Sequence, residues 1–104
     1  MSTDRELLAL AAKAACFELV LWQPDGTPHA GLPDDTVSWP WNPLKNDGDA
    51  LRLAVMLNLD IRPGRDKVTA AGDGAWEEVS TADRTREEAT RRAITCAAAA
   101  MAER

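Results

Sequence analysis

The segment from Trp39 to Leu44, with the sequence Trp-Pro-Trp-Asn-Pro-Leu, constrains the fold most strongly. A proline drives the residue before it away from helical backbone and toward an extended conformation. Two prolines three positions apart therefore exclude a helix over this stretch. We expect either an edge strand or an irregular segment laid on the core.

Two segments near the ends of the chain have the composition of helices. Thr3 and Glu6 have the spacing of a capping box, which predicts a first helix over residues 4–15. A last helix is predicted from about residue 83 to residue 102. Its apolar stripe consists mainly of alanine, and such small side chains allow close approach to a sheet or to another helix.

A helix in the middle of the chain is predicted over residues 48–58, with Asp47 as its cap and Asn58 as a left-handed residue at its end. The run Asn46-Asp47-Gly48-Asp49 also invites a calcium interpretation. It lacks the glycine at position six and the glutamate at position twelve of an EF-hand loop. Asp49 is better explained as a first-turn carboxylate that the helix dipole favours.

Strands are indicated by short β-type runs that end at Gly and Pro. They are predicted at residues 17–23, 59–62, 67–71 and 75–79, with the last two joined in a hairpin through residues 72–74. Residues 24–36 are predicted to form a surface loop, which ends in a short strand near residues 36–39. Trp76 is predicted to join the core.

The order of these elements predicts an α+β fold. We expect a small, mostly antiparallel sheet with three helices packed on it, an α/β/α-type sandwich. A length of 104 residues fits a single domain over residues 1–104. With one Phe and no Tyr, the four Trp residues are expected to supply much of the core.

The charge of the chain is negative and unevenly placed. The net charge is −5, and residues 17–51 carry six acidic residues against one basic residue, Lys45. This balance argues against nucleic acid as a partner, because phosphate binding needs a basic face. No apolar run approaches the length of a membrane span, and the charged N-terminus is unlike a secretory signal. We therefore expect a cytoplasmic protein with no membrane partner.

Soft metal ligands and nucleophiles are scarce. Cys16, Cys96 and His29 are too few for a zinc site without a carboxylate, and His29 lies in the predicted loop. The two cysteines lie in, or directly after, different predicted helices and are expected to be free thiols. The turn at residues 72–74 lacks the Lys and Ser/Thr of a phosphate-binding loop. The sequence predicts no catalytic residue, no metal and no cofactor.

Trp39 and Trp41 are the most informative pair for function. In an extended segment, residues two apart lie on the same face, so the two indoles could form a binding platform. The alternative is that both rings cover a core with few other large side chains. With neighbouring acids they define a candidate interaction surface, which comprises Trp39, Trp41, Asp34, Asp35, Asp47 and Asp49.

Several runs of the sequence resemble a known group of proteins. They are Trp41 to Leu44, Asp47 to Val55 and Leu57 to Asp60, together with a capped opening helix and the closing runs Ala89 to Ile94 and Ala97 to Met101. The chain resembles the phage ABA-sandwich domain group of small phage and prophage proteins. The resemblance implies a layered helix/sheet/helix fold and a phage or prophage origin. It implies no particular activity.

The leading functional hypothesis is a non-enzymatic accessory protein that acts through protein contacts, as a monomer or weak homodimer with an unidentified protein partner. One alternative is an acidic inhibitor of a host defence protein, whose carboxylates mimic the phosphates of nucleic acid. That alternative requires the acids to share one surface. A second alternative is a small-molecule binder or small enzyme, which requires a sizeable pocket.

Overall fold

The computed structural model describes residues 3–17, 19–22, 24, 28–31 and 38–103. The predicted α+β class is confirmed. The helices are α1 (Asp4–Ala14), α2 (Asp47–Met56) and α3 (Arg86–Ala102). The strands are β1 (Leu19–Trp22), β2 (Pro28–Gly31), β3 (Ser38–Pro40), β4 (Asp60–Pro63), β5 (Lys67–Gly72) and β6 (Ala75–Ser80).

Each helix begins at a polar N-cap side chain. Thr3, Asn46 and Thr85 each accept a hydrogen bond from the backbone N–H three residues further on, at 2.9–3.2 Å. Such a bond satisfies one of the N–H groups that a helix start leaves without an intrahelical partner. The prediction that Asp47 caps α2 is wrong, because Asn46 is the cap and Asp47 is the first helical residue. Helix α3 begins three residues later than predicted, after Thr85.

Helices α1 and α2 end in the same way, at a residue with positive φ. Asn58 has φ of 55°, as predicted, and Cys16 has φ of 64°. In both cases the next backbone N–H bonds back across the turn, from Phe17 to Ala12 and from Leu59 to Ala54. This pattern satisfies carbonyls that the last helical turn leaves open.

The strands form two antiparallel three-stranded sheets in the described residues, rather than the single sheet that was predicted. One sheet has the order β1-β2-β3 and the other has the order β4-β5-β6. Strand β2 lies within the stretch predicted to be a loop, and β3 is an edge strand that ends at Pro40. The predicted hairpin is confirmed, with Asp73 and Gly74 at positive φ in its two-residue turn.

Helix α3 lies between the second sheet and the other two helices. One stripe of alanines, Ala89, Ala93 and Ala97, packs on Val68 and Ala70 of β5. Ile94 and Ala98 of α3 belong to a larger cluster, which joins α1, β2, Trp41, α2 and α3. All of these alanines are almost fully buried. The alanines thus allow one helix to pack closely on both sides.

The prediction that Trp76 joins the core is wrong, since its side chain is 60% exposed. The hairpin pairs Val79 with Val68 and Trp76 with Ala71. Side chains alternate between the two faces of a strand, so Trp76 lies on the face opposite Val68, away from α3. There its indole N–H donates to Glu78 at 3.3 Å.

Candidate functional site

The two tryptophans of the candidate interaction surface meet a third aromatic ring. Trp39 and Trp41 both contact Phe17 edge to face, with ring centroids 5.4 and 5.6 Å apart and planes at 88°. Trp41 is only 5% exposed and belongs to the larger core cluster. Trp39 is half-buried and packs against that cluster. Trp41 therefore supports the core and offers no surface to a partner, as the alternative interpretation predicted.

Asp47 and Asp49 are already engaged by cationic partners. Asp49 is 8% exposed, and its carboxylate accepts a hydrogen bond from Arg52 at 2.9 Å. Asp47 is exposed and pairs with Arg91 at 2.6 Å. Asp49 is thus a buried part of the structure rather than a surface carboxylate. The remaining acids of the candidate surface, Asp34 and Asp35, lie outside the described residues, as does Asp25.

A cleft of about 350 Å³ opens beside the three rings. Phe17, Trp39 and Trp41 line one side, and Leu53 and Met56 of α2 line the other. Its polar groups, Asp49 and Arg52, are paired with each other. The cleft is consequently an apolar space whose charges are neutralised.

The outer face of α2 carries large apolar side chains, which is unexpected for the exposed face of a helix. Leu51, Val55 and Met56 are 64%, 69% and 53% exposed, whereas the opposite face of the helix is buried through Ala50, Leu53 and Ala54. A globular surface helix normally carries polar residues on its solvent face. We call Leu51, Val55 and Met56 the α2 apolar surface.

A groove of about 390 Å³ borders this surface, between α2, α3 and β4. Its buried floor contains Ala50, Ala54 and Ile94, and Leu51 of the α2 apolar surface lines one side. The rim includes the Asp47–Arg91 pair and the exposed residues Arg86 and Glu87 of α3. We call it the α2–α3 groove. An apolar floor with a charged rim is the usual construction of a protein contact site.

Reactive side chains lie apart from this groove. Cys96 is half-buried in a shallow cleft with Glu77 and Glu103. Burial, and to a smaller extent the charge of Glu77, raises the pKa of the Cys96 thiol. A raised pKa keeps the sulfur protonated near neutrality, and the thiol is a weak nucleophile. The other thiol, Cys16, is exposed, and both cysteines are free as predicted.

The prediction that His29 lies in a loop is wrong. His29 is half-buried in β2, where it pairs in register with Leu21 of β1 and Pro40 of β3. Within the described ranges, no group of three or more His, Cys, Asp or Glu side chains is placed to hold a metal ion. Across the same part of the chain, none of the helices has the length and apolarity that crossing a bilayer requires.

The α2 apolar surface was not predicted from the sequence, although the sequence contains a signal for it. Leu51, Leu53, Ala54, Val55 and Met56 leave α2 without a continuous polar face. A helix with large apolar residues on more than one face is normally covered on more than one side. The sequence pattern could have indicated an interface but not which face of the helix the core would take.

Comparison with known proteins finds no matching family model and no significantly similar curated protein or solved structure. The resemblance to the phage ABA-sandwich group, and the phage or prophage origin that it implies, stay predictions.

Proposed function

We propose that this chain is a non-enzymatic accessory protein that binds another protein through the α2 apolar surface. The observation that carries the proposal is the exposure of Leu51, Val55 and Met56 on one short helix. Single exposed apolar residues are common on soluble proteins and need no explanation. Three large ones on one short helix, of which Leu51 also lines an apolar groove, are typical of an interaction site.

The α2–α3 groove indicates what the partner presents. Its floor residues Ala50 and Ala54 are small, and their short side chains leave a space of about 390 Å³ between the helices. A large aliphatic or aromatic side chain of the partner can fill this space, and such buried anchors contribute most of the binding free energy at interfaces. The charged rim, with Arg86 and Glu87, would then contact polar groups around the anchor.

The alternatives have less support. A nucleic-acid mimic needs carboxylates that face the partner, but Asp49 is buried against Arg52 and Asp47 is paired with Arg91. A thiol enzyme needs a thiolate, and the raised pKa of Cys96 disfavours one. We therefore place the contact site on α2 and not on the predicted surface of Trp and Asp residues.

The test is affinity capture with matched variants. Leu51→Asp and Val55→Asp place a charge on the α2 apolar surface, and Trp76→Ser removes a similarly exposed ring from a different face. All three side chains are more than half exposed, so each variant should fold, which circular dichroism would check. We expect a partner that the wild type and Trp76→Ser capture equally and that both α2 variants lose.

Two results would contradict the proposal. The first is a set of captured proteins that is unchanged in Leu51→Asp and Val55→Asp. The second is a concentration-dependent dimer, measured by light scattering, that both α2 variants abolish, because a second copy of the chain would then occupy the groove.

A further inference from the structure

A polar cleft at the start of α3 collects basic side chains from three parts of the chain. It lies where α1 and α3 begin, beside residues 44–45, and has a volume of about 410 Å³. Four of the 12 basic residues of this acidic protein line it, together with two carboxylates. They are Lys45, Arg84, Arg91 and Arg92, with Asp4 and Glu88. We call it the basic cleft.

Two of its arginines are held in position by the fold. Arg91 donates from Nε to the carbonyl of Leu44 at 3.0 Å and from Nη1 to Asp47 at 2.6 Å. Arg92 donates from Nη2 to Asp4 at 2.8 Å. A guanidinium has five N–H donors, so in the described part of the chain these bonds leave three donors on Arg91 and four on Arg92. The side chains are pre-organised and retain donors for a ligand.

Burial strengthens the attraction of these cations for an anion. The side chains of Arg84, Arg91 and Arg92 are only 29%, 17% and 31% exposed. Electrostatic interactions of such partly buried groups are screened less than those between solvated charges. The outer carboxylates of Asp47 and Asp83, which pair with Arg91 and Arg84, are both 77% exposed and therefore well solvated. The arginine side chains are therefore less solvated than the carboxylates of Asp47 and Asp83 that pair with them.

We propose that the basic cleft binds a phosphate group, either as the free ion or as a phosphate monoester. Four cations and two carboxylates line the cleft, and two further carboxylates, Asp83 and Asp47, pair with Arg84 and Arg91 from its solvated side. Arginine forks match the geometry of phosphate oxygens, so a phosphate dianion would compete with these solvated carboxylates for the guanidinium donors. This site is separate from the α2–α3 groove apart from the shared residue Arg91, and the proposal does not depend on the proposed function.

The test is an NMR titration of the full chain with inorganic phosphate and, separately, with free phosphoserine, against sodium chloride at equal ionic strength. We expect saturable shifts at the amides of residues 44–45 and 84–92 with at least one of the two probes. Tighter binding of phosphoserine would identify an ester as the ligand, and tighter binding of inorganic phosphate would identify the free ion. Shifts that chloride reproduces would overturn the proposal.

Three variants separate binding from a structural effect. Arg84→Gln removes a cleft cation and should weaken binding by about tenfold, the equivalent of one charge-assisted hydrogen bond. Glu88→Gln removes a competing carboxylate and should tighten binding several-fold, a gain that damage to the fold would not produce. The control Arg62→Gln changes an exposed cation of β4 and should leave the affinity unchanged. Equal affinities in Arg84→Gln, Glu88→Gln and the wild type would contradict the assignment.

Discussion

The carboxylate of Asp49 accepts a hydrogen bond from the backbone N–H of Asn42 at 2.9 Å. This bond attaches the proline-containing segment to the first turn of α2, and so places Trp41 over the core. The other carboxylate oxygen of Asp49 accepts from Arg52. One acidic side chain therefore determines how a segment that cannot be helical is positioned against a helix.

We predict that Asp49→Ala destabilises the protein by about 2–3 kcal/mol, since the part-buried N–H of Asn42 loses its partner. The matched control is Asp47→Ala, which removes the other acid of the same helical turn. Asp47 is 77% exposed, and Arg91 keeps its bond to the carbonyl of Leu44 when Asp47 is removed, so we expect a loss below about 1 kcal/mol. Urea denaturation of both variants measures the difference, and equal losses would refute this role for Asp49.

The helices could be predicted from the sequence because their signals are local. Thr3 and Asn58 carry the backbone geometry expected of a cap and of a left-handed end, and each depends on a few neighbouring residues. Strand β2 could not be predicted, because its residues Pro28 to Gly31 are weak strand formers. It is a strand through its pairing with β1 and β3 on both sides, which is a tertiary effect.

The error at Trp76 also has a tertiary origin. The sequence correctly predicts the hairpin, but it does not reveal which face of the hairpin α3 covers. The alanine stripe of α3 takes the face with Val68 and Ala70, so the large indole on the other face is left exposed. The α2 apolar surface could not be predicted for the same reason, because the sequence does not reveal which face of that helix packs against the core.

The two tryptophans at opposite extremes of burial give the second prediction. Trp41→Ala should cost about 3–5 kcal/mol of unfolding free energy, because it removes a ring that is 5% exposed and leaves a cavity beside Phe17. Trp76→Ala should cost less than about 1 kcal/mol, because the ring is mostly solvated. The midpoint denaturant concentrations of the two variants, compared at equal m-values, test whether Trp41→Ala loses more stability than Trp76→Ala. A larger loss for Trp76→Ala would reverse the assignment of core and surface.

The close packing of α3 gives the third prediction. Ala97 is fully buried against β5, and Ala97→Leu should destabilise the protein by about 1–3 kcal/mol through overpacking. Ala100→Leu is the matched control on the same helix, where the residue is half-buried beside a cleft that can take the larger side chain. Alanine and leucine have similar helix propensities, so the difference between the variants reports packing. If thermal unfolding shows the same stability for both, the inference of close approach between α3 and β5 fails.

Glu77 and Glu78, neighbours on opposite faces of β6, give the fourth prediction. Burial, and then the charge of Glu103, raises the pKa of Glu77 above 4.5. Hydrogen bonds from Lys67 and from the Trp76 indole lower the pKa of Glu78. A raised pKa means that the folded state holds the proton of Glu77 more tightly than the unfolded chain does. Its favourable contribution is present below pH 4.5 and is lost as the pH rises through the folded-state pKa.

Glu77→Gln should therefore stabilise the protein at pH 7, and the gain should disappear below about pH 4, where Glu77 is protonated in both states. We expect a gain below about 1 kcal/mol, because Glu77 retains substantial contact with water, which screens its charge. In a Glu103→Gln background the gain should shrink but persist, since burial is the larger cause. Glu78→Gln should change stability in the opposite direction at pH 7. Urea titrations across this pH range measure the wild type, the three single variants and the Glu77→Gln/Glu103→Gln double variant. A stabilising effect of Glu77→Gln that is equal at pH 4 and pH 7 would show that burial does not disfavour the charged form of its carboxylate.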